Sequence, residues 1–256
     1  MITTELRNDG VVLITLDRPS ARNALSIALL EALRDALRDA EDARCIVLAA
    51  NGPAFSAGHD LRELTAARGE ADGGRDFYAR TMALCSEVMQ QVVTHPVPVI
   101  AAVEGIATAA GCQLVASCDL AVATPAARFC TPGVDIGLFC STPAVAVARA
   151  IPRKAAMEML LTGRMVPAEE ARALGLINRI AEDARGAALE LAAAIAARSA
   201  LTVRMGKRGF NAQCALPLTE AYDAASAVMV ENMMAADAEE GIGAFLAKRA
   251  PLWQDK

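Results

Sequence analysis

Two segments of this chain each carry a short apolar run across a glycine into the start of a helix. They are Ala54-Phe55-Ser56-Ala57-Gly58-His59-Asp60-Leu61 and Ile106-Ala107-Thr108-Ala109-Ala110-Gly111-Cys112-Gln113-Leu114. No other feature constrains the fold as strongly. The first turn of a helix has N–H groups without intrahelical acceptors and carries the positive end of the aligned peptide dipoles. Two such junctions facing one point make an oxyanion hole. A donor aimed at an oxygen that gains charge is worth roughly 10²- to 10³-fold in rate.

The pattern around them is that of alternating strands and helices. Val11–Leu16 is β-branched and apolar, a buried strand. Ser26 then caps an amphipathic run to about residue 41, with Leu29, Leu30, Leu33 and Leu37 on one stripe. Cys45–Ala50, residues 98–103 and Leu120–Ala123 read as strands, and Arg75–Thr94 and Ala110–Ser117 as helices. Residues 152–162 and 167–174 read as helices around the Gly163 turn and the Pro167 start, with a last strand at 176–180. Beyond that the chain is helical over 184–197, 199–213 and 219–234. Repeated strand, turn, helix order predicts an α/β fold with parallel strands. A boundary near residue 198 separates a core of residues 1–197 from a helical region, 198–256, that presents apolar faces.

A chain of 256 residues buries roughly 70–75% of its unfolded surface, enough for one large core without metals or disulfides. With 54% hydrophobic residues and only 4% aromatics, that core is built from Ala, Val, Leu and Ile. The net charge of −5 and the lack of any Lys/Arg block exclude the electrostatic footprint of a nucleic-acid binder. Seven cysteines, at 45, 85, 112, 118, 130, 140 and 214, are odd in number and form no C-x-x-C pair, which predicts reduced thiols. Neither a metal-spaced His cluster nor a phosphate-loop, dinucleotide-binding or nucleophile-elbow motif occurs, so no metal is expected. The chain opens with strand signals rather than a basic and apolar leader, and the apolar stretch 97–123 is broken by Pro98, Glu104, Gln113 and Asp119. These features predict a cytoplasmic protein without a membrane span.

Together with Arg18-Pro19-Ser20-Ala21-Arg22-Asn23-Ala24-Leu25-Ser26, the two glycine junctions resemble the crotonase superfamily, the enoyl-CoA hydratase/isomerase fold, over nearly the whole chain. Three further runs resemble one branch of it: Gly111-Cys112-Gln113-Leu114-Val115-Ala116-Ser117-Cys118-Asp119, Gly137-Leu138-Phe139-Cys140-Ser141-Thr142-Pro143 and Ile151-Pro152-Arg153-Lys154. The resemblance implies a spiral of ββα units with a helical C-terminal oligomerisation region, assembled as a homotrimer or as a hexamer of two trimers. It implies an acyl-CoA thioester as substrate, coenzyme A being part of that substrate and no cofactor being held permanently. The oxyanion donors map to the backbone N–H groups of His59 and Ala110. Coenzyme A recognition maps to Ala21, Arg22 and Ala24, to Ala57, Asp60 and Leu61 around the first donor, and to Phe245 and Lys248 reaching over from a neighbouring subunit.

The sequence departs from a hydratase where protons must move. Hydrating an enoyl thioester uses two carboxylates, each contributing roughly 10²- to 10⁴-fold. The family places one Glu three residues beyond the second oxyanion donor, here Gln113, and the other after a proline, here Gly133 following Pro132. An amide exchanges no proton near neutral pH and glycine has no side chain, so hydration is expected to fall by about 10⁴ or more. Asp135, Cys140 and Ser141 follow closely; a thiol or hydroxyl at 140 or 141 is a nucleophile only if a base lowers its pKa, and pocket lining is the alternative. The His59 side chain is either an acid/base or a lining group, and His95 is a cap or packing residue. Residues 64–78, with Gly69, Gly73 and Gly74, are expected to form a loop that sets pocket width. The expected function is therefore enolate stabilisation on an acyl-CoA thioester with weak hydratase activity. The alternatives are a non-catalytic acyl-CoA binding or regulatory protein, a crotonase with different acyl-CoA chemistry, and an oligomeric scaffold.

Overall fold

A computed structural model describes all of residues 1–256. Its strands are β1 (Ile2–Leu6), β2 (Val11–Leu16), β3 (Cys45–Ala50), β4 (Ala54–Ser56), β5 (Val99–Val103), β6 (Ile106–Thr108), β7 (Leu120–Ala123), β8 (Arg128–Cys130), β9 (Val166–Pro167) and β10 (Arg179–Ile180). Its helices are α1 (Ile27–Arg38), α2 (Leu61–Ala67), α3 (Arg75–Thr94), α4 (Ala110–Ser117), α5 (Ser141–Ala150), α6 (Arg153–Thr162), α7 (Ala168–Leu174), α8 (Ala184–Ala196), α9 (Ala200–Gln213), α10 (Leu218–Met233) and α11 (Ala236–Leu246). The larger sheet has the order β1-β2-β3-β5-β7-β10, parallel except where β1 meets β2.

Every residue of β2, β3 and β5 is buried, as continuous apolar runs covered on both faces require. Ile14, Leu16, Ile46 and Leu48 face the leucine stripe of α1 and the apolar side of α3. Val11, Val47, Ile100 and Val122 face Ala184, Ala188, Ala192 and Ala196 of α8. That i, i+4 alanine stripe has no bulk to hold the helix away, so α8 lies close on the sheet. Ser26 caps α1 by accepting from Leu29 N, as its position predicts.

The smaller sheet has the order β4-β6-β8-β9, with β4, β6 and β8 mutually parallel, so their C-terminal ends share one edge. Each of these three strands has only three residues. Beyond α8, Lys207 ties α9 to the core: its Nζ donates to Val92 O, Val97 O and Asp119 Oδ2, the last at 2.6 Å. Helix α10 buries no residue. The Asp237 carboxylate, almost fully buried, accepts from Gln254 N and Asp255 N, and Trp253 Nε1 donates to Ala197 O.

Some elements differ from the sequence reading. The strand expected over 176–180 is ordered as strand only at Arg179–Ile180, because Leu176 and Ile177 turn into the core instead. Residues 64–78 are not one loop: α2 continues through Ala67 and α3 begins at Arg75, leaving 68–74 between them. His95 is the buried C-cap of α3 and its Nε2 lies 2.9 Å from Leu37 O, a packing role. No single helix is long and apolar enough to cross a membrane.

Candidate functional site at the strand ends

The two glycine junctions meet. Strand β4 pairs with β6 through Ser56 and Ala107, and β6 pairs with β8 through Thr108 and Cys130. Gly58, two residues beyond Ser56, lies against Ala109, which follows Thr108, and Thr131 follows Cys130 at the neighbouring strand end. Gly58 has φ +81°, and a Cβ there would sit 2.9 Å from Ala109 Cβ and 3.3 Å from Ala110 N, so only glycine lets the junctions touch. A side chain at Gly111 would run into the Ser56 carbonyl, which brings the first turn of α4 down onto the end of β4.

Backbone geometry sets the direction of the first donor. Leu25 N donates to Gly58 O at 2.7 Å and Asp60 N donates to Leu25 O at 3.3 Å. Gly58 C=O and Asp60 N–H thus face Leu25, and the alternation of extended backbone turns the His59 N–H the other way. Asp60 locks this corner: its carboxylate caps α2 by accepting from Arg62 N and takes a 2.9 Å bond from Arg18 Nη1. Asn23, fully buried, donates to Asn51 O and Ala54 O and accepts from Arg18 N, which fastens the 18–26 segment to the same corner.

The second donor rests on a strained residue. Ala109 precedes α4 with φ 51° and ψ −118°, a conformation that suits glycine, and it offers no side-chain cap. Its own N–H donates to Cys130 O and its carbonyl accepts from Gln113 N. The N–H groups of His59 and Ala110 are absent from the bonds of the turns, loops and caps. No ladder supplies them either, since His59 lies in a loop and Ala110 is the first residue of α4.

Three side-chain atoms at this edge are sealed from solvent without any hydrogen-bond partner: His59 Nε2, Gln113 Oε1 and Thr131 Oγ1. Gln113 is 4% exposed and Thr131 0%. An unsatisfied buried polar group costs about 1–3 kcal/mol, so the fold carries an unusual concentration of unpaired polar atoms at this edge. Burial lowers the pKa of His59 to about 4, so its imidazole is neutral at physiological pH and is no proton store there. Thr131 was invisible in the sequence; only the pairing of β6 with β8 brings it beside Ala109.

Residue 133, where the resemblance implies the second carboxylate, has its side-chain space filled rather than merely vacant. A Cβ on Gly133 would lie 2.9 Å from Cys140 Sγ, 2.9 Å from Leu138 O and 3.3 Å from Cys140 N. The turn at Gly137 folds 138–140 back over residue 133, with Leu138 N donating to Gly133 O. Burial raises the pKa of the Cys140 thiol, so as a nucleophile it is held in its protonated, unreactive form. Ser141 is exposed at the start of α5, and its hydroxyl donates only to Phe139 O at 3.4 Å.

The remaining candidates divide between the segments leading into the first junction and the end of α11. Ala24 and Asp60 are buried, Ala21 and Ala57 half-buried, and Arg22 and Leu61 exposed. Arg22 adopts φ 50°, and its carbonyl accepts from Ala57 N, which carries its segment past the first junction. Phe245, 82% exposed, and Lys248 lie at the end of α11, outside the cluster. No group of His, Cys, Asp and Glu is arranged to hold a metal ion.

Residues 6–256 match the enoyl-CoA hydratase/isomerase family, and the chain belongs to that family. The chain is 49% identical to rat enoyl-CoA hydratase domain-containing protein 3, mitochondrial, covering 98% of this chain and 84% of the rat protein. This is the branch that the three runs at 111–119, 137–143 and 151–154 resemble. The crystal structure of the human protein of that name superposes with a TM-score of 0.92 at 46% identity, covering 98% of this chain and 99% of that one. An enoyl-CoA hydratase from Mycobacterium smegmatis superposes at 0.93 with 48% identity, covering 98% of both chains. The crotonase fold with its C-terminal helices follows from these superpositions.

The expected cytoplasmic location is overturned by the same relatives. The rat, mouse and human proteins are all named as mitochondrial. A cellular address is carried by a short segment distinct from the packed fold, so composition and apolar patterning within the fold do not report it.

Proposed function

We propose that this protein binds acyl-CoA thioesters and stabilises their enolate form through the N–H groups of His59 and Ala110, with only weak hydration. The observation that carries this reading is the pair of free N–H groups at adjoining ends of parallel strands, one beside a strained Ala109. A thioester carbonyl accepting both gains most when its oxygen becomes an oxyanion, because the donors are already oriented. The imidazole of His59 lines the pocket in its neutral form. Gln113 supplies an amide where a proton carrier would be needed, and no carboxylate occupies the place of Gly133.

In this reading Ala21, Arg22, Ala24, Ala57 and Leu61 flank the pantetheine and nucleotide, while Asp60 holds the first donor in place. Phe245 and Lys248 serve the site of a neighbouring copy. Trimers or hexamers would cover the exposed apolar side chains of α10 and α11, among them Met229, Val230, Met233, Ile242 and Leu246. The filled space at Gly133 also favours a second reading, acyl-CoA binding without turnover. Loss of crotonyl-CoA absorbance tests both: the expected rate is about 10⁴-fold or more below that of an ordinary hydratase, and ordinary turnover refutes the proposal. Calorimetric binding of crotonyl-CoA with no product by mass spectrometry selects the second reading.

A further inference from the structure

Ser56, the last residue of β4, is fully buried and bears on both glycine junctions. We propose that Ser56 is a positioning residue for the oxyanion hole: its hydroxyl fixes the peptide that carries the His59 N–H, and its backbone seats the first turn of α4, which carries the Ala110 N–H. This rests on the acyl-CoA reading above.

The hydroxyl works in both directions. It donates to Asn23 O at 2.8 Å and accepts from Gly58 N at 3.3 Å. Its only hydrogen goes to Asn23, and its lone pairs remain to take the Gly58 hydrogen. Asn23 is a fixed anchor for this bond. It is buried with φ 51°, its Nδ2 donates to Asn51 O and Ala54 O, and its Oδ1 accepts from Arg18 N. Gly58 is thereby gripped at both ends, its N–H by Ser56 Oγ and its C=O by Leu25 N at 2.7 Å. The Gly58 C=O and the His59 N–H belong to one planar peptide, so holding Gly58 aims the donor. A glycine at φ +81° has no Cβ to restrict its rotation, which leaves the two hydrogen bonds to hold it. On the other side, a Cβ at Gly111 would run into Ser56 O and lie 2.8 Å from Ser56 Cβ, so α4 rests directly on Ser56. Oriented donors stabilise an oxyanion more than a ground-state carbonyl, and a loosened donor is therefore felt first in the enolate.

Acetoacetyl-CoA reports that difference, because its enolate and keto forms differ in ultraviolet absorbance. At fixed pH, the enolate-to-keto ratio of the thioester bound to the whole protein is expected to exceed that of the free thioester by at least about tenfold. Ser56→Ala, which deletes the hydroxyl without adding volume, should lower the bound ratio at least about fivefold. Butyryl-CoA, which reports ground-state binding by calorimetry, should keep its affinity within about twofold. A ratio that survives Ser56→Ala overturns the inference while the acyl-CoA reading stands. Equal losses of the enolate ratio and of butyryl-CoA affinity make Ser56 a general structural residue and overturn the inference too. No binding of acetoacetyl-CoA, or no rise in the ratio with the unaltered protein, overturns the enolate-stabilising reading and the inference with it. If Ser56→Ala does not fold, Ser56→Cys decides, since a thiol donates and accepts more weakly than a hydroxyl. A lowered ratio with butyryl-CoA affinity retained then supports the inference, and an unaltered ratio overturns it.

Discussion

Restoring the second family carboxylate by Gly133→Glu is expected to fail, and the structure gives the scale of the failure. Ordinary contacts between non-bonded carbon atoms lie at about 3.5–4.0 Å. A Cβ at 133 would approach Cys140 Sγ and Leu138 O to 2.9 Å, so even Gly133→Ala requires the 138–140 turn to move by several tenths of an ångström. Overpacking of this kind costs about 1–3 kcal/mol. At about 3 °C per kcal/mol for a chain of this length, Gly133→Ala should lower the melting temperature by roughly 3–9 °C at fixed protein concentration. Removing the sulfur relieves one of the contacts but leaves the Leu138 carbonyl in place. Cys140→Ala should therefore reduce the cost of Gly133→Ala without abolishing it, a coupling that a double-mutant cycle in urea measures. The paired Gln113→Glu/Gly133→Glu variant should be less stable and gain little crotonyl-CoA hydration. An unaltered melting temperature for Gly133→Ala, or brisk hydration by the paired variant, refutes this account of why the second carboxylate is missing.

Three further outcomes follow from the geometry. Ala109→Gly relieves a positive φ and should raise stability by up to about 1 kcal/mol, and a loss in urea melts would argue against strain at this residue. Lys207→Met leaves the Asp119 carboxylate without its cation and should cost about 2–3 kcal/mol; a change below about 0.5 kcal/mol would show that the clamp on α9 is dispensable. His59 binds its proton less readily when folded than when unfolded, so the unfolded chain holds more protons between pH 6.5 and about 4. Its contribution to stability is complete above pH 6.5 and is lost as pH falls through that window. His59→Gln should flatten this part of the stability profile, measured by urea midpoints, and an unchanged slope would place the imidazole in solvent.

What the sequence made legible was whatever local pattern carries. The glycine junctions, the leucine stripe of α1 and the buried apolar runs of β2 and β3 each announce their structure within a dozen residues. The small sheet was hidden because strands of three residues show no periodicity to read. Thr131 and the plugging of residue 133 by Cys140 were hidden for another reason: each depends on which distant segment folds alongside. Gln113 was found through the family resemblance, which implies a Glu three residues beyond Ala110, yet the unpartnered state of its Oε1 is a property of the packed chain. Cys140 reads from sequence as a lining residue that would be a nucleophile only with a base to lower its pKa, and its burial beside Gly133, which raises that pKa, depends on the packed chain.

The two N–H groups proposed to hold the thioester oxygen, at residues 59 and 110, belong to the peptide backbone, and this makes them invisible to alanine scanning. Truncating the imidazole leaves its N–H untouched, and residue 110 is already alanine. Proline alone among the standard residues deletes the hydrogen itself. The side chains at residues 59 and 110 can therefore change across generations without deleting either N–H, and a proline scan is the genetic probe able to expose the pair.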